Sequence, residues 1–191
     1  MLVLGINASP HREGTGATLL ARALEQATKE GAETKTIHLA DITMPHYHGD
    51  LEVEEVDPSL KVLVANMLAV QAIIFSFPIH WFGMNDRMAS LLAHLTPLED
   101  EGKFLLEGRV FGLIATCAED GAASGLERAM LTLTNMGMLM PPYGALFHNI
   151  TMAENSEDGW QENDLPLMGT SVVRLAKQVA GMTWDYKDMA P

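Results

Sequence analysis

The chain has 191 residues, with 12 lysines and arginines against 25 aspartates and glutamates, which gives a net charge of −13 at neutral pH. That deficit of basic residues argues against binding to nucleic acid or to an anionic membrane surface. The length and an apolar share of 48% predict one globular domain over 1–191. The single cysteine, Cys117, leaves no ligand set for zinc or an iron–sulfur cluster. It suits a reducing cytoplasm, where we expect the protein because no targeting signal or membrane-spanning run is visible.

Short apolar runs alternate with longer amphipathic segments along the chain. Apolar or β-branched runs predict five strands, at 2–6, 33–39, 72–77 (stopping at Pro78), 110–116 and 138–140, the last resuming at 144–147 beyond two prolines. Apolar residues at helical spacing predict five helices, at 18–29, 58–70, 84–95, 124–136 and, after a polar stretch at 154–164, 168–182.

This alternation of strand and helix predicts the α/β class. The expected architecture is a doubly wound, five-stranded parallel sheet with helices on both faces and right-handed crossovers. In such sheets, ligands bind beyond the carboxyl ends of the strands. We therefore single out the loops after the first, third and fourth strands: loop one (residues 8–18), loop two (77–85) and loop three (116–125).

Loop one consists of small and hydroxyl-bearing residues that lead directly into a helix, so its backbone amides could enclose a phosphate. Ser9, Thr15 and Thr18 could donate hydroxyl hydrogen bonds, and His11 or Arg12 could add a charge-assisted one. The alternative is a solvated turn in which Thr15 or Thr18 caps the helix. The loop lacks a Walker A motif and a complete Gly-x-Gly-x-x-Gly pattern, which argues against ATP and tightly bound NAD.

Loops two and three could form the walls of a ligand site. Loop two places Trp81 and Phe82 at a strand end, which suits a planar heterocycle. Its alternative role is packing against a partner subunit or the next helix. The glycines of loop three permit close backbone approach, although the loop could equally be a flexible connection with Ser124 as a helix cap. We interpret Cys117 as a small buried hydrophobe rather than a nucleophile.

Three stretches together resemble one known family. They are Gly-Ile-Asn-Ala-Ser-Pro-His-Arg-Glu-Gly-Thr at 5–15, Ser-Phe-Pro-Ile-His-Trp-Phe-Gly-Met at 76–84, and Thr-Cys-Ala-Glu-Asp-Gly at 116–121. They resemble the Gly-Ser-Pro-Arg phosphate loop, the Pro-x-Tyr-Trp flavin-ring loop and the glycine-rich third loop of the NAD(P)H-dependent FMN reductases. That family is a branch of the flavodoxin-like superfold, so the resemblance implies strand order 2-1-3-4-5. It also implies FMN as cofactor, with NADPH or NADH as co-substrate.

The resemblance implies which residues hold FMN. The phosphate residues would be Ser9, His11, Arg12, Thr15, Gly16 and Thr18. The residues around the isoalloxazine, acting largely through backbone amides, would be Pro78, Ile79, His80, Trp81 and Phe82. The third side would be closed by Thr116 and Gly121. Because His11 stands where the family often has arginine, the main phosphate cation is either His11 or Arg12.

Two departures from the family pattern affect the chemistry. The iron–sulfur flavoprotein branch carries clustered cysteines after the second strand, whereas this chain has Met-Pro-His-Tyr-His-Gly at 44–49. His46 and His48 alone would make a weak metal site, so we interpret them as loop histidines and predict no metal. Glu119 and Asp120 stand where the family more often has glycine. Two carboxylates there would repel a second phosphate, which argues against tight NADPH binding.

Three functions are compatible with these residues. The first is an oxidoreductase that passes a hydride from NAD(P)H through FMN to a quinone, flavin, azo compound or similar small acceptor. It needs no catalytic side chain, because the cofactor performs the redox step, although His80 could donate a proton near the ring. The second is a flavodoxin-type electron carrier, which the acidity favours because carriers dock basic partners. The third is a regulatory or structural protein that has lost flavin.

We also expect a homodimer or homotetramer. The predicted third helix carries more apolar residues than one sheet face needs, namely Met84, Met88, Leu91, Leu92 and Leu95. A methionine-rich stretch, 136–140, lies near the other edge. The family resemblance implies dimers with FMN close to the interface.

Overall fold

The computed structural model describes residues 1–49, 57–98, 104–154 and 160–182. The strands are β1 (Leu2–Asn7), β2 (Glu33–His38), β3 (Ala72–His80), β4 (Gly83–Met84), β5 (Val110–Cys117) and β6 (Ala145–Asn149). The helices are α1 (Thr15–Lys29), α2 (Pro58–Ala69), α3 (Asp86–His94), α4 (Ala122–Asn135), α5 (Ile150–Glu154) and α6 (Trp160–Gln178). Short 3-10 turns at Leu39–Asp41 and Thr96–Leu98 follow β2 and α3. None of the described helices combines the length and apolar character needed to span a bilayer.

The sheet has the order β2-β1-β3-β5-β6, and each neighbouring pair is parallel. The two-residue strand β4 pairs antiparallel with the end of β3 and lies off this path. Counting only the parallel strands in chain order gives 2-1-3-4-5. The predicted α/β class, the five parallel strands and their order are confirmed.

Two apolar layers cover the faces of the sheet. Side chains of α2, α3 and α4 pack on one face, and side chains of α1 and α6 pack on the other. Successive side chains of β3 enter both layers: Phe75 and Phe77 lie with α3 and α4, while Ile74 lies with α1 and α6. A central strand buried on both faces has no polar side to show, which explains the unbroken apolar runs in the sequence. Each such large side chain contributes about 1.5–3 kcal/mol by leaving water.

The fifth strand and the last helix differ from the sequence prediction. At 138–140 only Leu139 forms a β-bridge, to Val110, and the continuous strand begins at Ala145. Pro141 and Pro142 interrupt the run, and Gly144 donates its N–H to the carbonyl of Pro141 in a turn. Helix α6 begins at Trp160 and ends at Gln178, so it takes in part of the predicted polar stretch 154–164, of which residues 155–159 lie outside the described residues.

Strand β3 does not stop at Pro78. It continues to His80, and Pro78 itself pairs in register with Thr116. Proline removes one backbone donor, but the hairpin with β4 supplies a new partner for the strand at this point. The hairpin carries β3 past the carboxyl edge of the sheet, and loop two forms at its tip.

The prediction of spare apolar surface after loop two is wrong. Every member of that group is at most 8% exposed and belongs to the core, namely Met84, Met88, Leu91, Leu92 and Leu95. Met136 and Met138 are also buried. The apolar layer between the sheet and helices α3 and α4 is thick. It buries all of the apolar residues that the sequence suggested were in excess.

Candidate functional site

Loops one, two and three meet at the carboxyl edge of the sheet, where β1, β3 and β5 end. The N–H of Ala8 donates to the carbonyl of Ser76 at 2.7 Å, which extends the β1–β3 ladder into loop one. Asn85 then joins loop one to loop two. Its Nδ2 donates to the carbonyl of Ala8 at 2.7 Å, and its N–H donates to the carbonyl of Pro78 at 3.1 Å.

Three buried polar side chains, absent from the sequence prediction of the site, organise these loops: Asn7, Ser76 and Asn85. The Asn7 amide accepts the Ser9 N–H at 3.1 Å and donates to the carbonyl of His11 at 3.3 Å. The Ser76 hydroxyl donates to the carbonyl of Gly16 at 2.9 Å. Asn7 and Ser76 occur within or at the end of otherwise apolar strands. A polar residue in such a strand could have been identified from the sequence as one that organises its surroundings, because buried polar groups are almost always hydrogen-bonded.

Helix α1 starts inside loop one, three residues earlier than predicted. Its N-cap is Gly14, with φ of 153° and no side-chain cap bond, so neither Thr15 nor Thr18 caps the helix. A backbone angle in that region is open essentially to glycine alone. Without a cap, the first-turn N–H groups of residues 15–17 have no intrahelical partner. Together with the helix dipole they form a favourable place for an anion.

The hydroxyl and basic groups of loop one are engaged to different degrees. Ser9 Oγ accepts the His11 N–H at 3.1 Å and keeps its own proton for a ligand. Thr18 Oγ1 donates to the carbonyl of Gly14 at 3.1 Å, so its proton is already used. Arg12 forms a 2.6 Å ion pair with Asp41, and both side chains are largely exposed. The His11 side chain is exposed as well.

Loop two is a strained hairpin turn. His80 pairs with Gly83, so Trp81 and Phe82 are its two central residues, with φ of 50° and 63°. Two-residue turns of this kind favour Asn-Gly, because positive φ costs a bulky residue on the order of 1–2 kcal/mol. Trp81 is 95% exposed and Phe82 is 60% exposed, so burial offsets little of this strain. Trp81 and Phe82 therefore do not stabilise the fold at these positions, where Asn-Gly would be less strained.

The aromatic turn faces loop three across a cavity of about 200 Å³. The lining residues are Ile79, Trp81, Phe82, Cys117, Ala118, Glu119 and Asp120. Three of the five predicted ring residues therefore lie together, whereas Pro78 and His80 do not line this cavity. His80 is exposed at the end of β3.

Two glycines allow the loops to approach one another. Gly121, the N-cap of α4, has a φ of 89°, and a Cβ there would lie 2.4 Å from the Cα of Phe82. A Cβ on Gly16 would lie 2.9 Å from Ser76 Oγ and 3.9 Å from the Thr116 side chain. Thr116 is 6% exposed. Gly16 and Thr116 thus pack together at the start of α1, and Gly121 packs against loop two.

Loop three is anchored through its backbone. Asn149 donates to the carbonyl of Glu119 at 2.5 Å, and Asp120 accepts the Gly121 N–H at 2.6 Å. Ser124 lies inside α4 and the N-cap is Gly121, so the alternative in which Ser124 caps this helix is wrong. Cys117 is 4% exposed, and burial, followed by the nearby charge of Asp120, raises the pKa of its thiol. The thiol is therefore protonated near neutral pH, as expected for a buried hydrophobe and unlike a nucleophile.

Residues 1–151 match the sequence model of a family described as NADPH-dependent FMN reductase. The chain belongs to the NADPH-dependent FMN reductase family. A curated relative, an iron–sulfur flavoprotein of Methanocaldococcus jannaschii, is 31% identical in an alignment of 127 residues that covers 62% of this chain and 63% of the relative. The aligned part thus spans less than two thirds of that relative's length.

Solved structures share the fold of this FMN reductase family member at low sequence identity. RosB, solved with 8-demethyl-8-formylriboflavin-5'-phosphate, superposes with a TM-score of 0.85 and is 18% identical. That alignment covers 99% of this chain and 84% of RosB. A flavone reductase superposes with a TM-score of 0.76 at 18% identity, covering 97% of this chain and 66% of that structure.

The residues at the carboxyl edge fit FMN. The uncapped amides of α1 suit a phosphate dianion, and the aromatic cavity suits a planar ring. A Cβ on Gly16 would be too close to Ser76 Oγ, and a Cβ on Gly121 would clash with the backbone of Phe82, so larger residues there would push the loops apart. The phosphate and the ring of FMN therefore each have a chemically suitable place in this member of the FMN reductase family.

A larger cavity, of about 480 Å³, lies on the β2 side of loop one. It is lined by Ala40, Asp41, Ile42, Thr43, Met44, His46, Asp86, Arg87 and Ser90. The smaller cavity suits a planar ring better, because loops two and three supply its walls, whereas no tryptophan, tyrosine or phenylalanine is among the described residues that line the larger one. Among residues 1–49, 57–98, 104–154 and 160–182, no three metal-ligating side chains are grouped.

Proposed function

We propose that this chain is an oxidoreductase that passes reducing equivalents from NADH or NADPH, through FMN, to a small-molecule acceptor such as a quinone, flavin or azo compound. The observation that carries the proposal is that the uncapped start of α1 and the aromatic cavity are tied together at one sheet edge. Ser76 fixes the first turn of α1 to β3, and Asn85 fixes loop one to loop two. Family membership supports FMN as the cofactor.

In this proposal FMN, when bound, supplies the hydride chemistry, and the chain supplies binding and orientation. The Ser9 and Thr15 hydroxyls and the amides of residues 15–17 hold the phosphate, with a charge from His11 or Arg12. To contact the phosphate, Arg12 would have to break its ion pair with Asp41 or bind both groups at once. Thr18 supports the turn through its bond to Gly14 and would have to release it to reach the phosphate.

The ring in turn lies along loop two, residues 78–82. Trp81 and Phe82 line one side of the cavity and exclude water there, and Gly121 lets loop three close against Phe82. Thr116 supports the packing of Gly16 beneath the phosphate end. No side chain is assigned as an acid, a base or a nucleophile.

An anaerobic titration tests this function directly. FMN-loaded protein receives NADPH or NADH while the visible flavin absorption is followed. Rapid bleaching supports the reductase, whereas colour that persists until dithionite is added would contradict it. Ser9→Ala with Thr15→Ala should abolish FMN retention, and Thr43→Ala, outside the three loops, serves as the control. Unchanged flavin content in the double variant would refute the phosphate assignment.

The second candidate function is a flavodoxin-type electron carrier. The net charge of −13 favours it, because acidic carriers dock basic redox partners. Against it, the loop-three lining of the cavity, residues 117–120, contributes no aromatic side chain beside the ring. The same titration separates the two functions, because a carrier without its own nicotinamide activity is not bleached by NAD(P)H.

We further propose that the protein forms a homodimer or a dimer of dimers through its carboxyl edge. The support comes from large apolar side chains exposed on loop two and in α5 directly after β6, namely Trp81, Phe82 and Met152. Contact with a second subunit would bury the Trp81 ring that the strained turn exposes. Light scattering that returns the mass of one chain would contradict this proposal.

A further inference from the structure

The cavity assigned to the flavin ring has one charged wall. Five of its seven lining residues are apolar, and the other two, Glu119 and Asp120, are carboxylates. Among the described residues, no lysine, arginine or histidine lines it. Within the described part of the chain, neither carboxylate has an ion-pair partner. The net charge of this wall is therefore negative at neutral pH.

We propose that the electron acceptor is a planar aromatic molecule that is neutral or cationic, and that Glu119 and Asp120 disfavour anionic acceptors. The inference rests on the proposed function and names the substrate class of the same site. The aromatic rings of Trp81 and Phe82 favour a planar partner, since aromatic faces prefer stacked or edge contacts with other rings. The two carboxylates then select the charge of that partner.

The selection follows from where the reaction must occur. A molecule that takes a hydride from the ring has to touch the ring, and therefore enters or borders the cavity that both carboxylates line. Dissolved ions largely screen the interaction between two exposed charges only beyond a Debye length, about 8 Å at physiological ionic strength. A sulfonate or carboxylate on the acceptor meets both negative charges within that range.

Both acidic residues are exposed, and hydrogen bonds hold the loop that carries them. Asp120 accepts the Gly121 N–H at 2.6 Å, which restrains its side chain beside the cavity. The carbonyl of Glu119 is held by Asn149, and the neighbouring carbonyl of Ala118 is held by Thr151 at 2.6 Å. The backbone of loop three and the Asp120 side chain are therefore restrained beside the cavity, which keeps both acidic residues at its mouth.

The test compares naphthoquinone with its sulfonate, which have the same ring but differ in charge. The first readout is the dissociation constant for oxidised, FMN-loaded protein, from quenching of tryptophan fluorescence without any reductant. The second is kcat/KM with NADH. We expect wild type to favour the neutral quinone by roughly tenfold, a ratio that corresponds to about 1.4 kcal/mol. Glu119→Gln with Asp120→Asn should remove most of this preference, so that the two quinones bind with similar dissociation constants.

The matched control is Glu25→Gln with Glu33→Gln. It removes the same two charges from exposed positions on the second half of α1 and the start of β2, far from the carboxyl edge. We expect it to keep the wild-type ratio. An equal loss of selectivity in both double variants would overturn the proposal in favour of overall charge. Equal binding of the two quinones by wild type would also overturn it.

The two readouts also separate this inference from the proposed function. If selective binding is found but neither quinone is reduced, the reductase assignment fails and the charge selection by loop three stands. If both quinones are reduced without selectivity in binding, the reductase assignment stands and the charge selection fails.

Discussion

Ser76 Oγ donates a hydrogen bond of 2.9 Å to the carbonyl oxygen of Gly16 and thereby joins β3 to the first turn of α1. The two residues are 60 positions apart in the chain, and Ser76 is completely buried. The bond fixes where α1 begins relative to the sheet, and so where its uncapped amides point.

Ser76→Ala should therefore weaken FMN binding while the fold survives. Loss of one buried hydrogen bond costs about 1 kcal/mol and leaves the Gly16 carbonyl without this partner. A roughly fivefold rise in the FMN dissociation constant is expected, measured by quenching of flavin fluorescence. Ser124→Ala, on an exposed part of α4, is the control. Equal affinities in the two variants would show that the first turn of α1 does not depend on Ser76.

Gly121→Ala should separate loop two from loop three. Its Cβ would lie 2.4 Å from the Cα of Phe82, so backbone must move, and FMN affinity should fall by more than tenfold. Gly31→Ala is a matched control, because its φ of 86° carries the same strain as the 89° of Gly121 without meeting any backbone atom. Gly31→Ala should lose about 1–2 kcal/mol of stability by thermal denaturation from its backbone strain alone, and Gly121→Ala should lose more because of its clash with Phe82. If both retained FMN equally, the contact between the loops would not matter for binding.

Replacing the aromatic turn by Trp81→Asn with Phe82→Gly should stabilise the protein and impair the site. Asn-Gly relieves two strained positive-φ residues, which together are worth on the order of 2 kcal/mol before the loss of Phe82 contacts. The expected result is a higher thermal midpoint with weaker flavin binding. Trp81→Phe, which keeps an aromatic ring and the strain, should change neither measurement much. A less stable Asn-Gly variant would mean that the turn is not strained.

Glu30 should contribute to stability only above acidic pH. Its hydrogen bond to Arg174, followed by the charge of that residue and a bond to Thr170, holds its pKa below the ordinary value of 4.5. A carboxylate with a depressed folded pKa stabilises above the unfolded pKa, and the effect is lost as pH falls through the folded value. Wild type should thus be more stable than Glu30→Gln near pH 7, and the difference should shrink as the pH falls below 4.5. Urea titrations at neutral and acidic pH measure this, and a constant difference would contradict it.

Several features of the fold could be predicted from local sequence. Buried central strands produce unbroken apolar runs, and helices on a sheet show apolar residues at helical spacing, so residues 72–77 and 110–116 were assignable as strands. The loops at the carboxyl edge followed from the parallel topology, because all such strands end on the same side. The family resemblance supplied the flavin and the candidate residues, and the family match confirmed the resemblance.

Other features depended on contacts between distant segments. The number of apolar residues on α3 suggested a spare face, but the thickness of the core between α3 and the sheet decides how many are buried. The strain of Trp81 and Phe82 follows from the register of the β3–β4 hairpin, since pairing of His80 with Gly83 places both residues in the turn.

The sequence by itself determined the α/β class, the position of the three loops, the acidic charge and the small, hydroxyl-bearing composition of loop one. These are local properties, because strand burial, helix periodicity and loop chemistry are each visible within about 20 residues. Only the tertiary structure decided that Asn7, Ser76 and Asn85 organise the site and that Thr18 is already hydrogen-bonded. It also decided that Glu119 and Asp120 share a cavity with the aromatic turn. The buried polar groups find their partners across sheet neighbours that are far apart in the chain, and local sequence carries no record of that pairing.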